Sequence, residues 1–316
     1  MKSPIARLLH QGFFGLFSCL GLIANAQTLS FRDILQRTPA PQPDVKIAYG
    51  KDALQFGELW LPKAETSTTS TEPKTKASAN KLHPVAVLIH GGCWLAELPG
   101  VELMWHMADN LRNHGIAVWS IEYRRLGHAG GGYPGTFLDI ANGADHLRVI
   151  AEKYHLDLSR VITVGHSAGG HLALWAAARP NLPQNSALRI ASPLKINAVV
   201  GLAAIPDLQL FARSGAHACG ENTVDRLVDR EGRGNEAFRD TSITELLPLN
   251  VKQVLIHGVF DSIVPPYIGM QYQTKAKAKE EAVEVKVIAD AGHFEVIAPW
   301  SAAWKEVLAA IIDRMK

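Results

Sequence analysis

Six apolar runs of strand length alternate with helical stretches, and that alternation limits what this chain can fold into. The runs are PVAVLIH (84–90), AVWSIEY (117–123), VITVG (161–165), INAVVGL (196–202), QVLIHG (253–258) and VEVKVIA (283–289). The first four are nearly continuous in Val, Ile and Leu, the pattern of strands covered on both faces. Helical stretches fall at 101–113, about 136–154, 169–179, 267–280 and 300–315. Strand and helix in turn imply an α/β protein with a mostly parallel sheet and helices on both faces. Ahead of the first long run, VKIAYG and LQFGELWLP (Val45 to Pro62) read as a short strand pair.

Two stretches stand apart from this pattern. Residues 1–26 combine Lys2 and Arg7, an apolar stretch around Phe13 to Ile23, and Ala24-Asn25-Ala26. This is the layout of an export signal cleaved after Ala26, and its apolar part is shorter than the ~20 residues a membrane span needs. Residues 63–81, KAETSTTSTEPKTKASANK, have no apolar period and too little apolar side chain to offset ordering, so they read as a solvated loop inserted between strands. The expected organisation is therefore a leader, 1–26, and one domain, 27–316. Within that domain, 206–248 is irregular and reads as small helices and loops capping the sheet.

Charge narrows the partners. Of 32 basic and 30 acidic residues, Lys2 and Arg7 leave with the leader, which balances the remainder. No basic footprint for nucleic acid remains, and no later run is long enough to cross a bilayer. Oligomeric state is not legible.

In open α/β sheets, ligands bind beyond the carboxyl ends of the strands. His90-Gly91-Gly92-Cys93-Trp94 follows the first long run, and His166-Ser167-Ala168-Gly169 follows VITVG. Asp261 follows VLIHG, and His293 follows the last run. Gly165-His166-Ser167-Ala168-Gly169 fits the G-x-S-x-G turn between strand and helix, where glycines are needed because side chains would strike neighbouring backbone. A serine hydroxyl needs a base to remove its proton. His293, in a loop eased by Gly292, is the candidate; His90, His166 and His171 read as packing or orienting groups. For the carboxylate that fixes the base, Asp261 is favoured over Asp290 and Glu295, and Asp207 competes with it. Backbone N–H donors for an oxyanion would come from Ala168 and from the Gly91-Gly92-Cys93 stretch.

With these residues in view, the chain resembles an α/β-hydrolase of the branch that carries an H-G-G-x-W loop, as in bacterial carboxylesterases and kynurenine formamidase-like proteins. LIHGGCW, SIEYRR, GGYPGTFLDI, VGHSAGGHLALWAA, HGVFDSIVP and AGHFEVI carry the resemblance over about residues 84–300. It implies catalytic Ser167, Asp261 and His293, with oxyanion donors at Gly92, Cys93 and Ala168. It implies a small-molecule ester or amide as substrate and no metal or organic cofactor. Trp94, Tyr133, Phe211 and Tyr267 are the aromatic candidates for a substrate pocket.

The expectation is an exported serine hydrolase acting on carboxylic esters. The alternatives are an arylformamidase-like or short-peptide amidase, and a non-catalytic binding module on the same fold. Cys19 leaves with the leader, so Cys93 and Cys219 permit one disulfide, which would tether the 206–248 region to the H-G-G-x-W loop.

Overall fold

The computed structural model describes residues 28–63, 82–214 and 216–316. The expected leader and all of the inserted loop except Lys63 lie outside the described residues. Strands β1 (Val45–Ala48), β2 (Phe56–Trp60), β3 (His83–Ile89), β4 (Ala117–Ile121), β5 (Leu156–His166), β6 (Ala198–Leu202), β7 (Lys252–Gly258) and β8 (Val283–Ile288) form one sheet, in the order β1-β2-β4-β3-β5-β6-β7-β8. β1 pairs antiparallel with β2, and β2 with β4; from β4 to β8 every pair is parallel. This is the mostly parallel sheet expected from the apolar runs.

Register brings the functional ends together. Ile89 lies opposite Gly165, Gly165 opposite Gly201, Gly201 opposite Leu255, and Leu255 opposite Val285. The residues that follow β3, β5, β7 and β8 therefore emerge along one rim.

Several boundaries differ from those the sequence suggests, each for a local reason. β5 begins five residues before VITVG, because Leu156 pairs with His83 across a bulge. The polar LDLSR stretch hides that pairing. The helix expected over 136–154 divides into α3 (Gly135–Asp145) and α4 (Leu147–Ile150). The Trp119 indole N–H donates to Gly143 O at 2.8 Å, competing for a carbonyl the helix would otherwise use. The 101–113 stretch opens with a 3-10 turn before α2 (Trp105–Asn113).

The remaining helices are α1 (Phe31–Leu35), α5 (Ala168–Ala178), the short α6 (Leu208–Ser214), α7 (Ala216–Cys219), α8 (Thr223–Leu227) and α9 (Arg230–Arg233), then α10 (Tyr267–Lys277) and α11 (Trp304–Arg314). Every residue of α5 is buried and all but His171 are apolar, as suits a helix surrounded by core. α1 has no apolar period of its own, so the sequence alone does not indicate it.

Candidate active site

The turn from β5 into α5 sets Ser167 at φ 55°, ψ −120°. A non-glycine residue there is strained by ~1–3 kcal/mol, so the surroundings must hold it. They do so through glycine. A Cβ on Gly169 would lie 2.2 Å from Ile89 O and 2.3 Å from His90 O, and one on Gly165 would lie 2.1 Å from Gly169 O. Ser167 N–H donates to Leu202 O at 2.8 Å, which ties the turn to β6. Ser167 is 2% exposed, and its hydroxyl has no hydrogen-bond partner among the described residues.

Asp261 and His293 meet on the same rim. His293 Nδ1 donates to Asp261 Oδ2 at 2.7 Å, and Asp261 Oδ1 accepts the N–H groups of Ile263 and Val264 at 2.9 and 2.8 Å. With Nδ1 carrying its proton, Nε2 of His293 is left with a lone pair. Both residues are buried, 3% and 7% exposed. From beneath, His166 Nε2–H donates to the His293 carbonyl at 2.9 Å, and the two rings lie 4.5 Å apart. Burial, and then the neighbouring His293, push the His166 pKa well below the usual imidazole range, so His166 is a neutral donor. Asp207, the competing acid, instead takes Lys275 Nζ at 2.6 Å. Asp290 is exposed, and Glu295 turns to backbone N–H groups described below.

The H-G-G-x-W loop holds three successive residues in the left-handed region: Gly92 (φ 102°), Cys93 (φ 49°) and Trp94 (φ 56°). The backbone N–H groups of Gly92, Cys93 and Ala168 have no partner among the described residues. Such donors at a helix N-terminus and a tight loop suit a developing oxyanion.

A buried network that sequence reasoning missed holds this loop. Arg125 Nη1 donates to the carbonyls of Leu95, Leu98 and Pro99 at 3.2, 2.7 and 3.1 Å. Glu122 accepts from Val101 N–H at 3.1 Å, Tyr123 N–H at 2.8 Å and His90 Nε2 at 3.1 Å. Burial works against the Glu122 carboxylate, yet His90, Arg125 and the Tyr123 N–H outweigh it and bring its pKa down to about 2. The signal was present in SIEYRR, whose polar residues end a buried strand.

The four aromatic candidates separate. Trp94 and Phe211 are fully buried and pack edge to face at 6.3 Å, and Trp94 packs likewise on His171 at 5.5 Å. Tyr133 is only half-buried: the Arg233 guanidinium sits 3.6 Å over its ring, its hydroxyl reaches Asp240, and it lines a surface cleft with Pro183 and Ser186. Tyr267 is exposed at the start of α10. The Sγ atoms of Cys93 and Cys219 are joined at 1.98 Å, with Cα atoms 5.4 Å apart, so α7 is bonded to the H-G-G-x-W loop.

Comparison with known proteins bears on the family and the fold. The BD-FAE family model matches residues 73–276. No curated protein is detectably similar in sequence. Among solved structures, esterase B from Lactobacillus rhamnosis is 18% identical with a TM-score of 0.70, covering 90% of each chain. An acetyl ester-xyloside bifunctional hydrolase from Caldicellulosiruptor lactoaceticus is 16% identical with a TM-score of 0.64, covering 87% of this chain and 97% of its own. A bifunctional GH43-CE protein from Bacteroides eggerthii is 21% identical with a TM-score of 0.64, covering 85% of this chain, which spans only 37% of that protein. At these identities the likeness establishes the fold, which is that of the α/β-hydrolases.

Proposed function

The chain belongs to the BD-FAE family, within the α/β-hydrolase superfamily, and from that premise we propose an exported serine hydrolase that cleaves carboxylic esters of short acyl groups through an acyl-enzyme. One observation carries the reading: an Asp-bound imidazole and a strained serine on one rim, beside backbone donors without partners.

Ser167 Oγ attacks the ester carbonyl carbon as its proton passes to His293 Nε2. The imidazolium is stabilised by Asp261, and the new oxyanion accepts from the N–H groups of Gly92, Cys93 and Ala168. Collapse breaks the carbon–alkoxy bond, and the leaving alcohol takes the proton from His293. Water then adds to the acyl-enzyme, gives a proton to His293, and the carboxylic acid leaves as Ser167 regains its hydrogen. Contacts of this kind are often open in an unliganded site and close around substrate.

At the H-G-G-x-W loop Trp94 packs on both His171 and Phe211, bulk that favours a short acyl group such as acetyl. Solved relatives described as a carbohydrate esterase and an acetyl ester-xyloside hydrolase make acetylated sugars the first natural substrates to try. Export is supported by the layout of residues 1–26 and by the Cys93–Cys219 bond, which suits an oxidising compartment.

A fluorophosphonate probe and p-nitrophenyl acetate test the chemistry. The wild-type protein is expected to label and to turn over, and Ser167→Ala to do neither. A wild type that stays unlabelled while folded removes the proposal. For export, the N-terminus of protein recovered outside the cytoplasm is expected to begin at Gln27.

A further inference from the structure

Glu295 lies two residues after His293, is 8% exposed, and has no cationic partner among the described residues. Burying a carboxylate is costly unless hydrogen bonds compensate. Its two oxygens are used separately. Oε2 accepts the N–H of Gly292 at 2.9 Å, directly before the histidine, and Oε1 accepts the N–H of Leu29, 266 positions away in the chain. A Cβ on Gly292 would lie 2.9 Å from Thr28 Cγ2, so the two segments are in close contact. One residue after the histidine, the Phe294 ring packs edge-on against Phe31 at 6.4 Å and lies 5.0 Å from the His293 ring.

The segment on the other side of this carboxylate is a short strap. Ser30 and Asp33 cap α1 reciprocally, and Ile34 is sunk in the core. A five-residue helix does not persist by itself, because nucleation is costly and few bonds are gained. The strap is thus ordered by docking: Ile34 enters the core, Leu29 and Phe31 pack against it, and the Leu29 N–H reaches Glu295.

We infer that Glu295 is a positioning residue: it fastens the His293 loop to the strap Thr28–Leu35, so that seating of the strap sets the placement of the base. The inference rests on the reading of His293 as that base. His166 holds the loop from inside through the His293 carbonyl, and Glu295 holds it from outside through the preceding amide. Losing the outer tie leaves the His293–Asp261 bond intact but frees the loop to shift relative to Ser167. A displacement near 1 Å at a reacting group can cost ~100-fold in rate.

The test compares wild type with Glu295→Gln, Phe31→Ala and a chain beginning at Arg37. In Glu295→Gln and in the truncated chain, amide hydrogen exchange over residues 290–297 is expected to quicken at least ~10-fold while exchange in β5 and α5 stays slow. With p-nitrophenyl acetate, kcat is expected to fall ~10- to 100-fold with KM within ~2-fold. Phe31→Ala is expected to show a smaller effect of the same kind, and it carries the test if the truncated chain fails to fold. A synthetic peptide of residues 27–36 should restore part of the kcat of the truncated chain. Unchanged exchange over 290–297 in folded Glu295→Gln overturns the inference, as does a loss confined to KM. A wild type with the expected exchange but neither turnover nor fluorophosphonate labelling would count against the hydrolase reading and not against the tie.

Discussion

The serine and the histidine are held by two different kinds of construction. Ser167 sits in a turn whose determinants are neighbours in the chain: Gly165 and Gly169 leave room for backbone, and α5 begins at the next residue. His293 sits in a loop whose determinants come from across the molecule: Asp261 after β7, His166 at the end of β5, and, through Glu295, Leu29 in the strap. A nucleophile in a strained turn can be specified by a short stretch of neighbouring residues. A base that must face both the nucleophile and a carboxylate needs elements distant in sequence to converge.

Beyond removal of the Ser167 hydroxyl itself, the largest expected effect falls on the histidine side. Asp261→Asn removes the acceptor that keeps the proton on Nδ1, and kcat is expected to drop ~10⁴-fold with the fold unchanged. Pre-steady-state acylation with p-nitrophenyl acetate measures it, and a loss under about tenfold would show that His293 is positioned without Asp261. On the serine side, Gly169→Ala drives a methyl group into the Ile89 and His90 carbonyls, and a loss of ~3–5 kcal/mol or failure to fold is expected in denaturant unfolding.

Cys219→Ser, or reduction, breaks the bond that spans a sequence separation of 126 residues and joins α7 to Cys93. A stability loss of ~2–4 kcal/mol is expected, with a fall in kcat because the proposed mechanism uses the Cys93 N–H as an oxyanion donor. Equal kcat in the oxidised and reduced proteins would show that Gly92 and Ala168 suffice.

Each side also carries a buried histidine, which offers a matched pair of pH probes. Burial lowers the pKa of His171, on α5, and of His257, on β7, to about 4 in each case, against an opposing backbone hydrogen bond. For His171 the opposing group is the Thr241 carbonyl, and for His257 it is the Val264 carbonyl. The native protein refuses protons that the unfolded chain accepts below its ordinary imidazole pKa of ~6.5. Stability is therefore expected to fall as pH drops from ~6.5 to about 4, by up to ~1.4 kcal/mol per pH unit for each histidine, and to lose this dependence below that range. Unfolding of His171→Phe and His257→Phe across the range should each show a shallower slope, by up to that amount. A slope that neither variant changes would mean that the titrating groups lie elsewhere.

The smallest effects are expected at the two aromatic candidates that are not buried in the core. Tyr267→Ala, at an exposed position, should change kcat/KM for p-nitrophenyl acetate by less than ~2-fold, and Tyr133→Phe should do the same while losing only its contact with Asp240. A larger change at Tyr267 would bring the start of α10 into the substrate path.

Much of the sheet was legible because a strand buried on both faces must be apolar throughout, and such runs stand out at 84–90 and 161–165. α1 and the first part of β5 were not legible. A five-residue helix has no period to detect, and LDLSR pairs only through a bulge. At the site, the turn around Ser167 could be read from its glycines, and the positions after β7 and β8 pointed to Asp261 and His293. Glu122, Arg125 and Glu295 could not be assigned roles in the same way. Their partners are largely backbone groups, which every residue carries and no side-chain pattern reveals.

By itself, the order of apolar runs and glycine turns determined the class of fold and the edge at which the candidate residues gather, because strand burial and tight turns depend on residues close together in the chain. Only the tertiary structure decided that Asp207 pairs with Lys275, that Tyr133 lies under Arg233, that Cys93 meets Cys219 and that Leu29 reaches Glu295. Each of these contacts joins segments brought together by sheet register and helix packing, and a hydrogen bond or a disulfide is set by distances of a few ångströms that spacing along the chain does not encode.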